Sequence, residues 1–94
     1  MASRRYLKKE IDYLVSEVIG DAHLCLYFNS DEKRESVVAV MEEAVALRNG
    51  LFARIKPEEK NNPSLVRKHF AAIRNDMMVG IDGLFEKLSQ ISKS

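Results

Sequence analysis

The chain has one cysteine, Cys25, no tryptophan, two prolines and four glycines among its 94 residues. A single thiol excludes an internal disulfide framework and any multi-cysteine zinc site. So little glycine and proline excludes collagen-like or low-complexity sequence and leaves few places where a helix must stop. No apolar run exceeds about five residues, Val37 to Met41 being one, so nothing is long enough to span a bilayer or form a secretory signal core, and a cytoplasmic location is expected. A surplus of one charge is lacking too, since 15 basic residues face 14 acidic ones for a net charge of +1. What is present, 46% hydrophobic and 31% charged residues, excludes a disordered chain. The length suits one domain over residues 1–94.

Two interruptions stand out. At Phe28-Asn29-Ser30-Asp31 a left-handed Asn29 followed by N-capping residue types is expected, and Lys56 to Pro63 holds both prolines and two asparagines. Asn62 is placed to cap a helix whose first turn holds Pro63, where a missing backbone N–H costs nothing. The predicted helices are Ser3 to Phe28, Asp31 to Ile55 and Pro63 to Ile91, with no internal repeat and no linker.

Periodicity supports this division. The third segment places Val66, Phe70, Ile73, Met77, Ile81, Leu84, Leu88 and Ile91 at alternating steps of three and four. The first does so with Leu7, Ile11, Leu14, Val18, Ala22 and Cys25, widened by Val15, Ile19 and Leu26. The second gives Val37, Met41, Ala44, Leu51 and Ile55, widened by Val38, Val40, Val45, Leu47 and Phe52 until the apolar arc covers about half the helix. An arc that wide touches two neighbours. Short connections make consecutive helices antiparallel, so the expected fold is all-α, an up-down-up bundle of three helices on the order of 38 Å long at ~1.5 Å per residue. Such a rod has a thin core, which assembly into a larger bundle would thicken.

The topology sorts charge by pole. Arg48 is expected level with Ile11 and Ala71. The pole shared by the start of the first helix, the end of the second and the start of the third then carries eleven cations against Glu10, Asp12, Glu58 and Glu59, a net +7. Among those cations are Arg4, Arg5, Lys8, Lys9, Arg67 and Lys68. The opposite pole, with Asp76 assigned to it, carries four cations against ten carboxylates, a net −6. The basic pole is a candidate site for an anionic partner, either nucleic acid or an acidic protein surface. A solvated surface that partly complements helix dipoles is the plainer reading. Stacking platforms are scarce there, with only Tyr6 and Phe70 among the basic residues. Arg48 falls on the centre of the second helix's apolar arc, so it must find a carboxylate, Glu10 or Asp12, or reach the end of the bundle.

The spacing excludes much chemistry. His23 and Cys25, two residues apart on a helix, point about 200° from one another, and His69 lies near the other pole, roughly 20 Å away. There is no Glu-x-x-His pair for a di-metal site and no glycine-rich phosphate loop. No catalytic, cofactor or metal residue is therefore assigned, and no small-molecule substrate is expected. Cys25 reads as core and both histidines as partly exposed. The all-helical chorismate mutase resembles this chain in size, but it grips a dicarboxylate with arginines from its long first helix, whereas Glu10 to Phe28 holds neither Lys nor Arg.

Opposite the first helix's core stripe runs a second row: Tyr6, Tyr13, Gly20, Leu24 and Tyr27, with all three tyrosines in it. Amphipathic aromatics around a glycine, outside an already wide stripe, suit a helix-to-helix interface. Scattered exposed tyrosines are the plainer reading. Met78 and Phe85, seven apart on the third helix, could extend the row. Gly20 and Gly80 are expected at similar heights, where close backbone approach or a bend would compensate their helix cost of about 1 kcal/mol each.

The opening Arg4-Arg5-Tyr6-Leu7-Lys8-Lys9-Glu10-Ile11-Asp12-Tyr13 resembles the start of a family of uncharacterised small all-helical bacterial proteins. The likeness covers the first helix and implies a helical bundle with no assigned activity or site residues. The expected function is a non-enzymatic helical module that self-associates as a homo-oligomer, with nucleic-acid or ribosome-associated binding through the basic pole as the alternative.

Overall fold

A computed structural model describes residues 4–55 and 62–93. Three helices, α1 (Arg4–Phe28), α2 (Arg34–Arg54) and α3 (Pro63–Lys93), pack each against the other two, and a 3-10 turn over Asp31–Lys33 leads into α2. The bundle is a rod of 53 × 18 × 18 Å. Its core is the three predicted stripes with their centres sharpened. Leu7, Ile11, Val15, Val18 and Ala22 of α1, Val37, Val40, Ala44 and Leu51 of α2, Ile55 just beyond it, and Ile73, Met77, Ile81, Leu84 and Leu88 of α3 are buried. Leu14, Ile19, Cys25, Leu26, Met41, Leu47, Phe52, Phe70, Phe85 and Ile91 form its half-covered margin. On α1 the centre runs through Val15, moving Leu14 and Cys25 to the edge.

The helix ends follow from local hydrogen bonding. Asn62 caps α3 as predicted, its Oδ1 accepting from the Leu65 N–H at 3.3 Å. At the first break the expected left-handed Asn29 is not found, since no described non-glycine residue has positive φ. Instead the Asn29 backbone N–H and its Nδ2–H both donate to the Cys25 carbonyl, at 3.0 and 2.9 Å. That satisfies a last-turn carbonyl without a left-handed residue. Ser30 is extended and makes no side-chain cap; the 3-10 turn, closed by Lys33 N–H to the Ser30 carbonyl, takes that role. Ser3, Lys56, Pro57, Glu58, Glu59 and Lys60 lie outside the described residues.

The register of α1 against α2 matches expectation, with Arg48 bonded to Asp12. The register of α3 does not. Leu47 packs on Gly80, Glu43 meets Lys87 and Glu10 meets Arg74, so the α3 residues level with Arg48 lie about five to eleven positions beyond Ala71 at ~1.5 Å each. The cause is unequal length. α3 has 31 residues against 21 in α2, and His69 already sits at the Arg54 carbonyl that closes α2. The excess therefore projects past the end of α2, leaving Pro63 to Lys68 as a tip and Val66 and Phe70 only half-buried.

Candidate interaction surfaces

The corrected register moves one charge across the molecule. Asp76, expected at the acidic pole, accepts from Arg54 at 2.7 Å and belongs to the basic half. Among the described residues that half holds nine cations and three carboxylates, and the other half four cations and nine carboxylates. The three carboxylates are all taken: Asp12 by Arg48 at 2.6 Å, Asp76 by Arg54, and Glu10 by Arg74 at 3.2 Å. Arg4, Arg5, Lys8, Lys9, Arg67 and Lys68 remain, all exposed, and none of them bridges to a carboxylate among the described residues. Lys8 also lies over the Phe52 ring, 5.9 Å from its centroid. Helix dipoles do not account for this clustering. The N-termini of α1 and α3 both open at this pole, and neither has an acidic residue in its first turn. The cations there add to two positive dipole ends that would favour carboxylates.

Between the halves lies a band without charge. It runs through Tyr13 to Ser16 on α1, Ala44 to Leu47 on α2 and Met77 to Ile81 on α3. The contacts of Asp12 with Arg48 and of Leu47 with Gly80 bring these three segments to one height. Each segment shows apolar groups to solvent: Tyr13 is 64% exposed, Val45 48%, Met78 45% and Val79 65%. The molecule therefore has a positive half, an uncharged waist and a negative half. This waist was readable in the sequence as three charge-free stretches, but only the register aligns them.

The row on α1 lies on its outward face. Tyr6, Leu24 and Tyr27 are 71%, 56% and 82% exposed, and the Tyr27 ring meets Phe28 edge-on. Gly20 is exposed, with no atom of a neighbouring element within 4 Å of where a Cβ would sit. It is therefore not paired with Gly80 as expected: a Cβ on Gly80 would lie 2.8 Å from a terminal carbon of Leu47, whereas Gly20 faces open space. Leu24 and Phe85 line one shallow hollow together with Cys25 and Ser92, so Phe85 does adjoin the row. Cys25 sits on the rim of the core, its Sγ 3.4 Å from Ser92 Oγ.

Arg48 resolves the anomaly of its position. Its guanidinium stacks 4.2 Å from the Phe52 ring centroid while bonding Asp12, so the half-buried arc receives a stem and a flat cation and no charge is stranded. Beyond this lid the cleft between α1 and α2 is open and apolar, lined by Ile19, Leu26, Val38, Met41 and Val45. Sequence reasoning placed Ile19, Leu26, Val38 and Val45 at the edge of the core and Met41 on the central stripe of the second helix, where it is only half-buried; helical pattern separates apolar from polar but does not tell a covered edge from an open one. His69 donates from Nε2 to the Arg54 carbonyl and so tethers α3 to the last turn of α2, a role its isolation in sequence did not signal.

No family model, curated protein or solved structure matches this chain. Among the described residues there is no group of His, Cys, Asp or Glu side chains arranged to hold a metal ion, and no helix is long and apolar enough to cross a membrane.

Proposed function

We propose that this protein is a non-enzymatic helical module that works by self-association. The uncharged waist carries this reading, because it puts Tyr13, Val45, Met78 and Val79 in solvent at one height between two oppositely charged halves. An exposed apolar strip flanked by complementary charge suits a second copy laid antiparallel, since each half then meets its opposite. The outward row of α1 and the open cleft between α1 and α2 supply further contact area. Light scattering at tens of micromolar tests the reading. A mass above that of the 10.7 kDa chain is expected, falling to one chain in Tyr13→Glu. A single-chain mass unaffected by that substitution refutes it.

A second reading is favoured by one observation, the six exposed cations left among the described residues of the basic pole after its three described carboxylates are paired. Arg4, Arg5, Lys8, Lys9, Arg67 and Lys68 would neutralise phosphates of a nucleic acid or carboxylates of an acidic protein surface. Such binding to RNA or duplex DNA would be strong at about 50 mM salt and weaken steeply above it. No retention of either nucleic acid at that salt rejects the nucleic-acid reading.

A further inference from the structure

The row on α1 has a regularity that exposure alone does not require. Tyr6, Tyr13, Gly20 and Tyr27 follow one another at intervals of seven, so they lie along one line of the helix, over about 32 Å at ~1.5 Å per residue. An evenly spaced line is self-complementary when reversed. With a two-fold axis between Ser16 and Glu17, each Tyr13 falls opposite the partner's Gly20 and each Tyr6 opposite the partner's Tyr27. Gly20 is the one position of the line without a side chain, and it faces the largest group at the centre. Nothing within its own chain calls for that glycine: its φ is not positive and no neighbouring atom crowds it. A glycine in mid-helix with open space above it is a recess for an incoming ring.

Resting on the reading of self-association, we infer that the partner is a second copy docked antiparallel along the outward face of α1, with each Tyr13 ring seated on the other copy's Gly20. The same axis sets the half with nine cations and three carboxylates against the half with four cations and nine carboxylates, twice over. It also brings the adjoining flanks of α3 together. There Met78 and Phe85 repeat the spacing of seven, at the heights of Tyr13 and Gly20, as the Glu10 to Arg74 and Cys25 to Ser92 contacts fix them. Three tyrosines from each copy, each able to cover roughly 150–250 Å², bring the contact to about 1,000 Å², the lower bound for a specific association. A parallel alignment would instead stack like charge on like and place Tyr13 on Tyr13.

Directed cross-linking decides the geometry. In a Cys25→Ser background, Tyr6→Cys and Tyr27→Cys chains mixed and oxidised are expected to give a cross-linked heterodimer, while each alone stays uncross-linked. If each cross-links only to itself the alignment is parallel, and if neither does although sedimentation finds a dimer, another surface is used; both results overturn the antiparallel seat and leave self-association standing. A single-chain mass at tens of micromolar, unaffected by Tyr13→Glu, overturns both. Gly20→Ala gives a second, independent readout. It is expected to raise the melting temperature of the dilute monomer, because alanine favours the helix and meets nothing there, while weakening dimerisation about tenfold by filling the recess. Unchanged or tighter dimerisation in Gly20→Ala overturns the assignment of the recess.

Discussion

The two flanks of α2 are built differently. Toward α3 the seam is pinned along its length by specific pairs: Leu47 lies on Gly80, Lys87 bonds Glu43 at 2.7 Å, Arg54 bonds Asp76 and His69 holds the last-turn carbonyl, with a hollow between Ser36, Ala39, Val40 and Ile91 left near the acidic end. Toward α1 it is closed only at the basic end, by Arg48 on Phe52, and beyond that Ile19, Leu26, Val38, Met41 and Val45 line an open cleft. One helix with an apolar arc of about half its circumference can be pinned by specific pairs along one side and left to an open apolar cleft on the other. The difference teaches that the width of an arc measures how much surface wants cover, while the neighbour's side chains decide how much receives it.

Substitutions rank this contrast from strong to weak. Leu51→Ala, in the buried strip between the flanks, should destabilise by about 2–5 kcal/mol in urea denaturation. A loss under about 1 kcal/mol would mean that the strip is loosely packed. On the α1 flank Arg48→Ala removes both the ring contact and the exposed ion pair, and a loss of about 1 kcal/mol is expected. Arg48→Met, which keeps an apolar stem over Phe52, should recover part of it; equal losses would show that the stem's cover contributes nothing. On the α3 flank the glycines separate. Gly83→Ala meets open space and should stabilise by about 1 kcal/mol through helix propensity. Gly80→Ala forces Leu47 to shift and should gain less, so equal thermal shifts would contradict the tight seam. The smallest effects belong to Val45→Ala on the open cleft and Glu43→Gln on the surface, each expected within about 0.5 kcal/mol for folding of the monomer.

Much of this was legible beforehand. The three helices, the Asn62 cap and the partnership of Arg48 with a carboxylate follow from periodicity, turn chemistry and the cost of stranding a charge. The outward position of Tyr6, Tyr13, Gly20, Leu24 and Tyr27 follows from the same periodicity. What escaped is what depends on sliding one helix along another. Apolar stripes are nearly uniform along their length, so displacing α3 by several residues costs the pattern little, and specific pairs such as Leu47 with Gly80 must set the register. Asp76 changed halves for that reason. Asn29 escaped for another: its side chain closes the helix by a hydrogen bond that residue type allows but does not require.

The separation of charge about the waist gives a nearly neutral chain two unlike faces toward a charged matrix. At a pH near its isoelectric point of about 7.9, where a protein of evenly mixed charge would pass through either ion exchanger, this rod can adhere by one end to a sulfonate resin and by the other to a quaternary amine. Its elution would track the local density of charge at a tip, and its titration curve would be a poor guide to purifying it.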